Sequence, residues 1–185
     1  MKRNILLTAG VLALGLFSAE AAVAQSSNTS TGSVTVNGFV ALRCSFTSEN
    51  VVLNIGEMAI QSGSSSTLGA YDHTKLDGLS TQLDGLCNGA GSTMTVQAFP
   101  MLNTAFTSAP PSGFDNRVDY TATATENSVS ATATSTSATP GAPVTVGDFS
   151  NAITVNFSNS ATPGGGKMVA GPYTGSVNVT LTPST

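Results

Sequence analysis

Few side chains in this sequence are equipped for chemistry. The chain has two cysteines, Cys44 and Cys87, and one histidine, His73. In an exported chain an even cysteine pair reads most simply as one disulfide. Closing a loop of about 43 residues would be worth on the order of 4 kcal/mol on the chain-entropy account. A zinc site would need two ligands beyond the two thiolates, and His73 supplies one at most. His73, between Asp72 and Thr74, has the side chain of a general base, and hydroxyl nucleophiles abound. Against this stands the solvated histidine of a Tyr-Asp-His-Thr turn. Asp115 and Asp119 could form a glycosidase carboxylate pair, or simply decorate a loop with charge. Leu76-Asp77-Gly78-Leu79 recurs as Leu83-Asp84-Gly85-Leu86. Each copy offers one carboxylate where a calcium loop needs several closely spaced oxygens, so the Asp-Gly pairs read as turns. There is no phosphate-cradling glycine loop, no G-x-S-x-G elbow and no Cys-His pair. The expectation is a protein without catalysis, metal or cofactor.

The elements that would carry these residues begin after a leader. Lys2 and Arg3 precede an apolar run over 5–17, and Ala22-Val23-Ala24 provides a small-x-small cleavage site before Gln25. Residues 1–24 therefore read as a signal peptide. The apolar run is short for a bilayer span, so the mature chain is expected to be exported and to carry no membrane span. Removing Lys2, Arg3 and Glu20 leaves four basic and nine acidic residues, a net charge near −5. That balance argues against nucleic-acid and anionic-membrane partners. Only 9% of the chain is charged, whereas disordered chains usually combine few apolar residues with high net charge. Short β-branched runs between turn residues point to an all-β domain.

The opening stretch, Gly32 to Cys44, alternates without a break. Gly32, Val34, Val36, Gly38, Val40, Leu42 and Cys44 share one parity and would lie on one face of an extended chain. It reads either as one long edge strand or as two halves serving different bodies. Further strands are predicted at 51–56, at 93–99 (stopped by Pro100), at 117–125 and 129–136, at 144–147, 152–158 and 173–181. The Thr/Ala-rich middle is compatible with a linker by complexity, but Val118, Tyr120, Ala122 and Ala124 keep one parity and threonine suits strands. Turns fall at 88–91, 109–113, 140–141 and 162–166. No period of a core helix follows the leader, and the pattern is that of a β-sandwich.

Taken in order, four segments resemble the subunits of bacterial chaperone–usher pili, both the type 1 fimbrial family and the spore-coat-U-like archaic branch. Gly32-Ser33-Val34-Thr35-Val36-Asn37-Gly38 leads towards Cys44, and Val52-Leu53-Asn54-Ile55-Gly56 follows. Leu86-Cys87-Asn88 precedes an alternating strand, and the chain closes on 170–181, which includes Tyr173-Thr174-Gly175-Ser176-Val177-Asn178-Val179-Thr180-Leu181. The resemblance implies an incomplete immunoglobulin-like β-sandwich with an N-terminal donor-strand extension. Residues 25–37 would leave the body and complete a neighbour, and 38–185 would form the pilin-like domain, with 38–44 as its own first strand. Gly32, Val34 and Val36 would be the donor residues, while Tyr173, Val177, Val179 and Leu181 would line the acceptor groove. The implied partners are a periplasmic chaperone, an outer-membrane usher and further copies of this or related pilins. The implied setting is a cell-surface fimbrium with a role in adhesion and biofilm. A self-complete secreted β-sandwich that binds glycan or a surface partner is the alternative, and it requires 32–37 to pair within its own sheet.

Overall fold

The computed structural model describes residues 29–185. The predicted signal peptide, 1–24, and residues 25–28 of the predicted extension lie outside them. The chain divides into two units at Gly38/Phe39. In the first, residues 29–38 belong to no strand and are exposed throughout.

The second unit is all-β. Its strands are β1 (Cys44–Phe46), β2 (Ser80–Cys87), β3 (Thr93–Asn103), β4 (Phe114–Asp115), β5 (Arg117–Glu126), β6 (Val129–Thr134), β7 (Val144–Thr145), β8 (Phe149–Ala161), β9 (Lys167–Met168) and β10 (Tyr173–Thr182). One 3₁₀ turn, His73–Lys75, is the only helical piece among the described residues. The main sheet runs β1-β2-β8-β5-β3-β10, with β6 on β5 and β7 on β3. β5 changes partner along its length. Arg117 and Val118 pair with Leu102 and Met101 of β3, whereas Thr121–Glu126 pair with β6. That switch folds the sheet over itself, giving a sandwich that approaches a barrel, with β1-β2-β8-β5-β6 on one side and β7-β3-β10 on the other.

Alternation explains why the Thr/Ala-rich middle folds. Ala122, Ala124, Ala131 and Ala133 face inward and are buried, against Met94, Val96, Ala98, Ile153 and Val155. The alternate threonines face outward and bond across strands, with Thr123 Oγ1 3.0 Å from Thr132 Oγ1 and Thr125 Oγ1 2.8 Å from Ser130 Oγ. The β5–β6 hairpin turns on Asn127 and Ser128, both at positive φ (48° and 64°), as a tight two-residue hairpin loop requires.

Four expectations need correction. The long opening strand does not form, and neither does a first strand over 38–44: β1 is Cys44–Phe46 alone. Ahead of it, Asn88 satisfies the backbone instead. Its Oδ1 accepts from Arg43 N at 2.7 Å and its Nδ2 donates to Ala41 O at 2.8 Å. The stretch 51–56 is not a strand, because no described strand lies beside it to pair with. β3 does not stop at Pro100. It runs to Asn103, and the missing proline N–H is tolerated because β3 itself bulges there: Pro100 and Met101 together face the single residue Gly175 of β10, between the pairs Leu102–Thr174 and Phe99–Ser176. Finally, only the first Asp-Gly is a turn, with Gly78 at φ +83°. The second lies inside β2, where a Cβ on Gly85 would sit 3.4 Å from both Leu181 and Phe46.

The disulfide is present as expected: Cys44 and Cys87 are directly paired across β1 and β2, with Cα atoms 4.2 Å apart. β1 makes just three ladder pairs, so the cross-link matters more than it would to a long strand. Replacing both cysteines with alanine should lower unfolding stability by about 2–4 kcal/mol. Urea denaturation of the purified protein checks this, and a midpoint matching the unaltered protein would show β1 to be held without the bridge.

Candidate functional site: a groove beside the last strand

β3 and β10 make a controlled comparison. Met94, Val96 and Ala98 of β3 are paired with Leu181, Val179 and Val177 of β10. The three on β3 are 0–1% exposed. Their partners on β10 are only partly buried, although they pack on the same core. The difference arises because β10 has β3 on one side and no described strand on the other.

Across the gap the arrangement is matched. β1 pairs only with Gly85–Cys87 of β2, so residues 80–84 have β8 on one side and no described strand on the other. Thr47 N donates to Asp84 O at 2.8 Å and Asp84 N donates to Ser48 Oγ at 3.0 Å. These contacts end the β1–β2 pairing, and the chain then departs as the loop 49–57.

Between the two edges lies a groove of about 720 Å³. Tyr173–Thr180 form one wall, Phe46 and Glu49–Ile55 the other, and Leu76, Leu83, Tyr120, Val155 and Phe157 contribute to the floor. Beyond Tyr173 it adjoins a second hollow of about 590 Å³, which shares Leu53, Asn54, Ile55, Met101 and Tyr173 and adds Met58 and Met168. At the other end the groove is shut. Leu181 and Phe46 both lie over Gly85, Gly91 N donates to Ser184 O at 3.2 Å, and Gly89 abuts the Ser184 carbonyl.

Of the residues named from the sequence, Tyr173, Val177 and Val179 line this groove, and Leu181 packs at its closed end. Gly32, Val34 and Val36 lie in the first unit. Val34 and Val36 are each 90% exposed, and a Cβ on Gly32 would meet nothing within 4 Å. The candidate catalytic groups are not assembled. His73 Nδ1 is 3.5 Å from Asp77 Oδ2, while Ser160 Oγ reaches the His73 backbone carbonyl and not its ring. Asp115 accepts from Gly164 N and Gly166 N, and Asp119 pairs with Arg117 at 2.7 Å and accepts from Ser135 Oγ. Each carboxylate fixes a local turn or strand. No group of three or more His, Cys, Asp or Glu residues that could hold a metal ion occurs among the described residues. Nor is any described helix long and apolar enough to cross a membrane.

No family model, no curated protein and no solved structure matches this chain.

Sequence reasoning missed Tyr120. Its ring lies in the groove floor, 5.7 Å from that of Phe157. Its hydroxyl lies 2.7 Å from Phe99 O and 2.9 Å from Ser176 O, the paired residues at the edge of the β3 bulge. Parity placed Tyr120 inward, but only the bulge reveals what its hydroxyl holds. Burial pushes the phenol up to about 12, partly offset by the bond to Phe99 O. The folded protein thus keeps a proton that the unfolded chain releases near 10, so Tyr120 stabilises the fold fully below pH 10 and progressively less towards 12. Tyr71, also raised by burial, contributes in the same direction. Tyr120→Phe should cost about 1–3 kcal/mol at neutral pH by leaving carbonyls unpaired, and should make the loss of stability above pH 10 shallower. Urea midpoints measured from neutral to alkaline pH test both. An alkaline slope unchanged in Tyr120→Phe would exclude it as a source.

Proposed function

We propose that this protein is a non-catalytic structural subunit of a surface fibre, of the chaperone–usher pilus kind, that polymerises by strand addition. In this reading the body is an immunoglobulin-like sandwich lacking one strand. Residues 25–37 of one copy enter the groove beside β10 of the next, with Gly32, Val34 and Val36 directed inward and Tyr173, Val177, Val179 and Leu181 receiving them. The single observation that carries the reading is the half-covered inner face of β10, whose paired residues on β3 are fully buried.

The exposed segment has the right chemistry for such a gap. Val34 and Val36 share a face in an extended chain, and the strand they would form needs backbone partners. Burying the two valines is worth roughly 3–6 kcal/mol at about 1.5–3 kcal/mol per side chain. Each ladder hydrogen bond adds about 0.5–1.5 kcal/mol. Against an ordinary domain stability of about 5–15 kcal/mol, filling the groove changes the fate of the subunit. Until a neighbour arrives, a chaperone strand would occupy the same site, and an usher would exchange one for the other. Head-to-tail contacts of this sort do not close on themselves and so give filaments. Export to the cell surface, adhesion and biofilm formation belong to this reading. The alternative of a self-complete, glycan-binding sandwich finds less support, since 32–37 are in no strand.

Deleting 25–37 should give a subunit that accepts a donor peptide spanning 26–37 but forms no filaments on its own. Electron microscopy and size-exclusion chromatography read the outcome. Long filaments from the deleted protein would rule out donation by this segment.

A further inference from the structure

The sequence contains two Asn-Gly pairs, Asn37-Gly38 and Asn88-Gly89, and the fold treats them in opposite ways. Asparagine followed by glycine is the dipeptide most open to intramolecular cyclisation, because glycine has no Cβ to obstruct its own amide nitrogen and moves freely in φ and ψ. Reaction requires the asparagine carboxamide to swing onto that nitrogen.

At Asn88 the swing is blocked. Oδ1 accepts from Arg43 N at 2.7 Å, Nδ2 donates to Ala41 O at 2.8 Å, and Asn88 N donates to Arg43 O at 3.1 Å. Gly89 is buried against the Ser184 carbonyl and the Leu42 side chain. At Asn37 nothing comparable exists among the described residues. Asn37 and Gly38 are exposed and lie in no strand, and a Cβ on Gly38 would meet no atom within 4 Å.

We infer that Asn37-Gly38 is a site of spontaneous self-modification, at which the Gly38 amide nitrogen attacks the Asn37 side-chain carbonyl to form a succinimide. The new bond joins the Gly38 nitrogen to Asn37 Cγ. The Cγ–Nδ2 bond breaks, the Gly38 amide proton leaves with the side-chain nitrogen, and ammonia departs. Water then opens the ring at either carbonyl, yielding aspartate or isoaspartate, so the balance is water consumed and ammonia released with no oxidation. Both products add one negative charge where residue 37 had none. Isoaspartate also inserts an extra carbon into the backbone, which breaks the two-residue period linking Val34 and Val36 to Val40 and Leu42.

The test is peptide-resolved mass spectrometry of the purified, disulfide-intact protein held at mildly alkaline pH, with isoaspartate told from aspartate by electron-transfer fragmentation. Asn37 should convert at least roughly tenfold faster than Asn88, the equivalent of about 1.4 kcal/mol in barrier. Gly38→Ala should slow conversion at residue 37 without altering Asn88. Unfolding and reducing the protein should bring Asn88 up to the rate of Asn37. Equal rates at the two sites in the folded protein would overturn the inference. So would an intact Asn37 under conditions in which a peptide of residues 30–42 converts.

Discussion

Hydrogen bonding along β10 is one-sided, and much of the molecule follows from that constraint. One edge pairs with β3 from Tyr173 to Thr182, with a single register shift at Gly175, while no described strand meets its other edge. Buried backbone groups must be paired, so a strand with one open edge cannot sink fully into the core. Val177 and Val179 consequently stop short of the burial reached by Ala98 and Val96 beside them. The groove is therefore less a pocket carved into a finished sandwich than the space left by an incomplete ladder. Its floor is ordinary core, and its walls are two strand edges and a loop.

The ends of this space are defined by small features. β1 is held as a three-residue strand by the Cys44–Cys87 bridge, and Thr47 and Ser48 terminate its pairing on Asp84. Had β1 continued, it would have covered residues 80–84 of β2 and one side of the gap would have closed. The tail after β10 does the opposite job. Ser184 bonds to Gly91 and packs on Gly89, both glycines leaving room for backbone to touch backbone. Tyr120 adds a third control by reaching to the carbonyls of Phe99 and Ser176, which are paired beside the β3 bulge. Through this bond the groove floor is tied to the wall above it.

What could be read in advance was whatever the two-residue period and the local turn chemistry decide. Strands β5, β6, β8 and β10 follow their alternation closely, and the pairing of two lone cysteines needed no geometry. The apolar run at 51–56, ending at a glycine, misled, because composition alone cannot say whether a neighbouring strand exists. The same limit applied to 38–44, where the Asn88 side chain supplies bonds that a ladder would have supplied. Pro100 misled for the converse reason. Proline ends a strand only when the partner demands its N–H, and the demand vanished because Pro100 falls in a β3 bulge opposite Gly175, seventy-five positions further along the chain. As for the site, the apolar parity of Val177, Val179 and Leu181 was legible, but the floor was not. Phe157 and Tyr120 belong to strands that reach the groove only through the sheet order.

Exposed sheet edges are usually guarded by lysines, prolines, inward charges or bulges that frustrate pairing with another chain. β10 has no charged residue and no proline between Tyr173 and Thr182, and the one register shift in its pairing with β3 lies near its start. From Ser176 to Thr182 the register with β3 is regular, which leaves an uncharged edge with Val177, Val179 and Leu181 packed on the core. The low charge of the chain, 9% in all, withholds the general protection that repulsion would give. A protein that spends its life as a monomer gains nothing from such an edge and risks aggregation through it. A subunit that must be filled by an incoming strand needs that edge bare. The absence of guards on β10 thus supports the same reading as the half-covered valines, and it does so through backbone chemistry that is independent of the volume of the groove.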